Sequence, residues 1–267
     1  MKQPQLDYFV LGDRVKAFSS TRHGGCSTGN YAAFNINHYC GDNEEHIHRN
    51  REALCALLGI DNDRLLMPHQ VHLTKTAKID EAFMALSPEQ QHEALEGYDA
   101  LMTDTRGVCI GVSTADCIPI LLYDEGHHAI CAIHAGWRGT VSRIAEKAVA
   151  EMKAAYGTRP HQVRAQIGPG IHLESFEVGD EVYEAFRQAG FDMPAISCRQ
   201  VNPHTHQEKW HIDLPECNRQ QLIGSGLLKE SIAVSPVCTF QQAADYFSAR
   251  RLGINSGRIF TGIILCP

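Results

Sequence analysis

The sequence predicts one α+β domain over residues 1–267. Three observations carry that expectation. Strand-like and helix-period runs alternate along the whole chain, which brings sheets and helices into one packed body. No linker, internal repeat or low-complexity stretch divides it. The 267 residues, 43 % hydrophobic and 21 % charged, suffice for one sizeable core.

Residues 7–20 hold two short strand-like runs, DYFVL and VKAFSS, parted by Gly12 and Asp13. Residues 21–37 are rich in Gly, Ser and Asn and read as a loop. Within it Arg22 precedes His23, Gly24 and Gly25, so a guanidinium stands beside open backbone. That arrangement suits a phosphate or carboxylate, or is simply a solvated surface loop. Asp42 to Gly59 reads as a helix, with Ile47, Leu54, Leu57 and Leu58 near one face, acidic early turns and a closing glycine. His46 and His48 point about 200° apart on it and are poor co-ligands. Arg64 to Ile79 is β-like and contains MPHQVH. His69 and His72 face opposite sides on a strand and the same side on a turn or helix, so if the segment is extended at most one of them reaches a metal. Residues 80–97 are polar and acidic, a short helix and loop. Tyr98–Thr103 and Gly107–Ser113 are strand candidates.

The chemistry concentrates between Cys109 and Thr140. Cys117–Tyr123 and His128–His134 are apolar runs joined by Asp124-Glu125-Gly126-His127, an ordinary hairpin loop length. If Tyr123 faces His128 at the closing pair, Cys117 faces His134 directly. Such neighbours have Cβ atoms about 4.5–5.5 Å apart, close enough for a thiolate and an imidazole to share one metal ion. A slip of one residue would put them on opposite faces. Asp116, next to Cys117, is placed either to orient a ligand or to cap the turn. After His134, AGWRGT is a tight turn, and Val141–Tyr156 carries apolar residues at helical spacing up to Gly157. The helix N-terminus, Gly136, Gly139 and Arg138 together suggest an anion site, or plain turn chemistry with a surface arginine.

Beyond Gly157, residues 162–167 are a strand, and Gly168-Pro169-Gly170 is a bend open to a ligand. Asp180–Gln188 is a helix closed by Gly190. Residues 191–212 read as irregular, with His204 and His206 in a solvated loop. Asp213 to Glu216, with Pro215 in the first turn, starts a helix that runs to about residue 224. Ser231–Ser235 is a strand. The tail carries Arg250, Arg251 and Arg258 before a last apolar strand.

Composition excludes several classes. A net charge of −7 is not that of an electrostatic nucleic-acid binder. No run approaches the ~18 apolar residues of a membrane span. The first residues, MKQPQLDYFVLGDR, lack the pattern of a signal peptide, so a cytoplasmic protein is expected. The ten cysteines include no C-x-x-C pair, and Cys55, Cys109, Cys131, Cys217 and Cys238 sit among apolar neighbours as small buried hydrophobes. Fifteen histidines is a high count, and some of them are expected to do chemistry.

Taken together, the motifs resemble the YfiH or laccase-domain family, whose members are often labelled polyphenol oxidase or purine nucleoside phosphorylase. They are TRHGGCS at 21–27, Asn35, HQVH at 69–72, DALMTD at 99–104, TADCIPILLYD at 114–124, HAGWRGT at 134–140, IGPGI at 167–171, FEVGDEV at 176–182, Cys238-Thr239, and FSARR and SGR within 247–258. HQVH, ADC and HAGWRG in this order are highly specific. Ala249 departs from the family, which commonly carries Tyr there.

The resemblance implies an α/β sandwich of mixed sheets flanked by helices. It implies a metal site, and with it the catalytic centre, at His72, Cys117 and His134. It implies phosphorolysis of adenosine, inosine, guanosine and methylthioadenosine, with deamination of adenosine, so the expected partners are purine nucleosides and phosphate. Zinc is the expected metal and copper is possible. Two His and one Cys leave the open fourth position of a catalytic zinc site. The usual zinc-deaminase signature is absent, so deamination would be a convergent solution. For substrate, Arg22 and Arg138 are the candidates for phosphate, and Asn35 and Gln70 for polar contacts. Two other readings stand beside this one: an amidohydrolase, either zinc-dependent or built on a Cys117–His134 nucleophile pair, and a copper-dependent polyphenol oxidase.

Overall fold

Alternation of buried side chains on paired strands gives this chain its layers. The structure, a computed structural model, describes residues 2–202 and 206–266. A five-stranded sheet runs in the order β1 (Leu6–Phe9), β2 (Val15–Ser20), β14 (Ile259–Leu265), β6 (Cys109–Thr114), β3 (Leu65–Leu66). A six-stranded sheet runs β13 (Ile232–Val234), β9 (Val163–Ile167), β7 (Ile118–Asp124), β8 (Ala129–Ala135), β5 (Ala100–Thr103), β4 (Thr76–Ile79). A small sheet joins β10 (Glu177–Val178), β12 (Glu208–Ile212) and β11 (Ser197–Val201). The sheets are mixed: β3 with β6, β4 with β5, and β9 with β13 pair parallel, and the remaining pairs are antiparallel. Around them lie α1 (Glu44–Leu58), α2 (Glu81–Met84), α3 (Pro88–Ala94), α4 (Trp137–Val141), α5 (Ile144–Tyr156), α6 (Asp180–Gln188), α7 (Met193–Ile196), α8 (Leu214–Gly224) and α9 (Ala249–Leu252).

The two large sheets pack face to face. Leu121 and Tyr123 of β7, with Ile130 and Ala132 of β8, meet Ile110 and Val112 of β6 and Ile263 of β14. The alternate residues of the same strands, Ile120, Leu122, Cys131 and Ile133, pack on Ile144, Ala148 and Met152 of α5 and on Leu214 and Leu222 of α8. On the far side Phe18, Cys109, Phe260 and Ile264 pack on Leu54, Cys55 and Leu58 of α1. The result is a helix–sheet–sheet–helix sandwich, the α/β class expected. Strand parity puts His134 on the inter-sheet face with Ile130 and Ala132, at the far end of β8 from the hairpin loop.

Helix α1 forms where periodicity and caps place it. Asn43 Oδ1 accepts from Glu45 N (2.9 Å) and His46 N (3.2 Å), and Gly59 ends the helix at φ +72°, which a residue without Cβ adopts freely. Helices α6 and α8 also start and stop as read, and Asp213 caps α8 by accepting from Glu216 N (2.9 Å).

Four expectations are corrected. The hairpin closes at Asp124 and Ala129, so His134 faces Pro119, and Cys117 precedes β7. The cause is Asp124: its carboxylate accepts from Gly126 N (3.0 Å), His127 N (3.2 Å) and His127 Nδ1 (2.8 Å), and so closes a loop of residues 125–128. The register moves by two residues, which preserves strand parity and leaves Cys117 diagonal to His134. The helix expected over Val141–Tyr156 is two pieces, α4 and α5, parted at Arg143, whose φ is +65°. The MPHQVH stretch of Arg64–Ile79 is not strand, and β3 and β4 occupy only the ends of that range. Residues 191–212 contain α7 and the β11–β12 hairpin, across which Arg199 lies over the Trp210 ring at 5.1 Å and pairs with Glu208 at 3.1 Å. Polar, half-exposed strands of this kind carry no apolar alternation to reveal them. Of His204 and His206 only the latter lies within the described residues, where it is exposed.

Among the described residues no helix is long and apolar enough to cross a membrane. Leu121 is fully buried between the sheets. Leu121→Ala is therefore expected to lower unfolding free energy by about 2–5 kcal/mol in a urea titration, through lost transfer energy and a residual cavity.

Candidate metal centre

His134 enters the site from the end of β8, between two cross-strand neighbours. Pro119 of β7 lies on one side. On the other, Asp99 precedes β5, and His134 N donates to the Asp99 carbonyl (2.7 Å). The side chains repeat the pairing: His134 Nδ1 donates to Asp99 Oδ1 (2.8 Å), which leaves Nε2 as the free ligand atom. Asp99 is fully buried and also accepts from the backbone of the HQVH segment. Its oxygens take His72 N (2.9 Å), Leu73 N (2.7 Å) and Val71 N (3.4 Å). One carboxylate thus fixes the His134 ring and the loop carrying His72. That loop bends at His72 itself, whose φ of +63° is strained for a side chain with a Cβ.

Cys117 arrives from a third direction. Asp116, at φ +87°, is held by Thr239 Oγ1, which donates to its Oδ1 (2.8 Å), and by Arg250 N, which donates to its Oδ2 (2.7 Å). Asp116 is thereby a turn anchor, which settles one of the two roles open to it. The turn delivers Cys117 Sγ to 3.9 Å from His72 Nε2, and the rings of His72 and His134 sit edge to face at 4.8 Å. The donor atoms of His72, Cys117 and His134 all lie within 4.8 Å of one another, the one such trio of His, Cys or acidic donors among the described residues. Around a tetrahedral zinc, bond lengths of about 2.0–2.3 Å put donors about 3.4–3.6 Å apart, so the trio fits an ion with shifts of a few tenths of an ångström to about an ångström. Gly136 leaves the room: a Cβ there would stand 2.9 Å from His72 Cδ2 and 3.1 Å from Cys117 Sγ.

Charge within the trio is strongly coupled. Burial pushes the Cys117 thiol up, but the imidazoles of His134 and His72 outweigh it and bring it down to about 6. Burial pulls the His134 imidazole down, but the Cys117 sulfur and the Asp99 carboxylate outweigh it and raise it to about 9. Burial likewise pushes the Asp99 carboxyl up, but His134 and the N–H groups of Leu73 and His72 hold it below its ordinary range. The two shifts act in the same sense and favour a thiolate beside an imidazolium when no metal is bound. Cys109, Cys131 and Cys217, with no such partners, are pushed up by burial and stay as thiols.

The trio opens into a cavity of about 280 Å³. Gln70, Ser113, Thr114, Tyr39, His69 and Arg258 also line it. Gln70 is clamped to the end of β6, since its Nε2 donates to Ser113 O (2.8 Å) and its Oε1 accepts from Ser113 N (2.8 Å). The other substrate candidates are elsewhere. Arg22 donates to Ala32 O (2.9 Å) and Ala243 O (2.8 Å), stacks on Phe247, and lines a separate cavity beside His23 and Gly24. Arg138 is exposed and lies over the Trp137 ring at 4.3 Å. Asn35 is fully buried, donating to Asp42 Oδ2 (2.9 Å) and accepting from Arg258 N (3.1 Å). The structure does not bring these three to the cavity. Sequence reasoning missed Asp99 and Arg258. The signals were a carboxylate at the head of the apolar DALMT run and an arginine at the head of the last strand.

Two outcomes follow from this geometry. In metal-stripped protein, iodoacetamide labelling of Cys117 should rise through pH about 6, because the thiolate forms above that value, and zinc should suppress it; an inflection near the ordinary thiol value would contradict the coupling. Asp99→Asn keeps the size but loses the charge, and chelator competition should show metal affinity reduced about 10–100-fold.

Comparison with known proteins agrees with the fold. The sequence profile of the family described as multi-copper polyphenol oxidoreductase laccase matches residues 16–266. A purine nucleoside phosphorylase of Bacteroides thetaiotaomicron is 46 % identical over 251 residues, covering 94 % of this chain and 92 % of that protein. Adenosine deaminase RL5, from an unknown prokaryotic organism, is 45 % identical over 259 residues, covering 97 % of each. The crystal structure of the hypothetical protein YfiH of Bacillus licheniformis superposes with a TM-score of 0.85 at 28 % identity, over 94 % of this chain and 92 % of that one. YlmD of Geobacillus stearothermophilus superposes with a TM-score of 0.84 at 29 % identity, over 95 % and 93 %. The chain belongs to this laccase-like family, the YfiH and YlmD proteins.

Proposed function

We propose that this chain is a metal-dependent purine nucleoside phosphorylase that takes adenosine, inosine, guanosine and methylthioadenosine and also deaminates adenosine. One observation carries the reading: a single cavity joins the His72–Cys117–His134 trio to one guanidinium, Arg258, and the described residues that line it include no carboxylate. An anionic co-substrate is therefore favoured there. The Arg258 guanidinium is stiffened by its own turn: Nη1 donates to Ser256 O (2.5 Å) and Gly257 O (3.0 Å) and Nη2 to Ile254 O (2.9 Å), which leaves Nε and one Nη2 hydrogen for an anion. It replaces Arg22 and Arg138 as the residue for phosphate.

His72 Nε2, Cys117 Sγ and His134 Nε2 would hold the metal ion. The chemistry a zinc ion would supply there is Lewis-acid polarisation of a substrate or water oxygen. The residues do the rest. Asp99 keeps His134 in the tautomer that leaves Nε2 free, Gln70 and Ser113 shape the wall, and Arg258 neutralises the incoming anion. The same soft donors accept copper. One trio of donors among the described residues, however, favours group transfer over the multi-centre electron transfer that the family description names. Deamination draws its support from the relative named adenosine deaminase. The Cys117–His134 amidohydrolase reading draws on the same thiol–imidazole pair, and the labelling experiment above separates the two: protection of Cys117 by zinc would count against a nucleophilic thiolate.

With inosine, product analysis should show hypoxanthine and ribose 1-phosphate only when phosphate is present. Unchanged inosine, or ribose formed without phosphate, would overturn the reading. Arg258→Ala should raise the phosphate KM about 10–100-fold, the loss of a charge-assisted hydrogen bond, and leave the inosine KM within a small factor.

A further inference from the structure

The cavity holds a second imidazole that the metal centre does not use. His69, the first histidine of HQVH, lines the same space as Cys117, His134 and Arg258. Its Nδ1 lies 2.5 Å from Glu96 Oε1. Its backbone is pinned to the loop after α3, since His69 N donates to Leu95 O (3.1 Å) and Gly97 N donates to His69 O (3.1 Å). Tyr39 stacks on the ring at 3.9 Å and 17°. The ring is therefore fixed by a carboxylate, a backbone bridge and an aromatic face. Its other nitrogen, Nε2, has no hydrogen-bond partner among the described residues. The His69 side chain is 34 % and Glu96 55 % exposed, so the pair is open to solvent, but an imidazole that lines a cavity, is backed by a carboxylate and is stacked on an aromatic ring is the arrangement of a general acid or base.

We infer that His69, held by Glu96, is the catalytic acid that protonates the departing purine at N7. The inference rests on the phosphorylase reading above. A phosphate oxygen forms its bond to ribose C1′ as the C1′–N9 bond breaks. The electron pair of that bond passes into the purine and is captured at N7 by the proton from His69 Nε2. The proton brought by hydrogen phosphate then restores His69. Nucleoside and hydrogen phosphate thus become purine base and ribose 1-phosphate, with no other reactant. Glu96 holds the Nδ1 proton, aims Nε2 and provides a counter-charge while the ring is cationic.

The test compares inosine with N7-methylinosine, whose purine already carries the positive charge and leaves without a proton. His69→Gln keeps a hydrogen-bond donor and removes the acid. Its kcat for inosine should fall about 10²–10⁴-fold, the usual range for general acid catalysis, while kcat for N7-methylinosine stays within about threefold. Glu96→Gln should show the same selectivity with a smaller loss. Equal losses on both substrates, or no loss on inosine, would overturn the assignment. A thermal melt of each variant with zinc bound identifies a general loss of structure, which lowers both substrates alike. If wild-type enzyme forms no ribose 1-phosphate from inosine, the phosphorylase reading fails and the assignment with it. If wild type turns over and only the substrate selectivity is missing, the reading stands and the role of His69 falls.

Discussion

The interaction on which the site depends is the buried Asp99 carboxylate. It accepts from the ring of His134 and from three consecutive backbone N–H groups, those of Val71, His72 and Leu73. A buried carboxylate left unpaired would be strongly unfavourable, so these donors are held as a set. Remove the charge and two things loosen together: the tautomer of His134 and the path of the loop that presents His72 at a strained φ. The sandwich supplies the leverage, because Asp99 and His134 are themselves cross-strand neighbours at the end of the six-stranded sheet.

Around that fixed point the remaining parts arrive from separate stretches of chain. Asp116 turns Cys117 inward, anchored by Thr239 and by the start of α9. Gly136 keeps clear the space into which a side chain would intrude. Arg258 enters from the head of β14, and His69 from the loop braced by α3. Each side of the cavity thus carries a different property: soft donors, a fixed cation, and an imidazole backed by a carboxylate. Such separation suits a two-substrate reaction in which one substrate is an anion and the other a heterocycle that must leave.

Much of the architecture was legible because local physics dictates it. Helix α1 declares itself by Asn43, an acidic first turn and Gly59, and the central hairpin by its two unbroken apolar runs. The donors His72, Cys117 and His134 stood out as residue types and by resemblance. What stayed hidden depends on tertiary contact. The hairpin register turned on which residue Asp124 would serve, a loop interaction with no periodic signature. The β11–β12 hairpin has polar strands and no apolar stripe. Arg22, Asn35 and Arg138 looked alike in sequence as polar groups near glycine-rich turns. Only the fold shows that the first lines a separate cavity, that Asp42 holds the second, and that the third lies on Trp137. Asp99 looked like the edge of a strand, because a residue that organises others by hydrogen bonds leaves no pattern of its own.

X-ray absorption at the metal edge of the zinc-loaded protein tests the central claim most directly. One ion per chain is expected, with two nitrogen donors at about 2.0–2.1 Å and one sulfur at about 2.3 Å, and with a remaining light-atom position that is not a protein ligand. Loss of the sulfur shell in Cys117→Ser, and of one nitrogen in either histidine variant, completes the expected result. A first shell without sulfur, or one unchanged by those substitutions, would contradict the His72–Cys117–His134 centre.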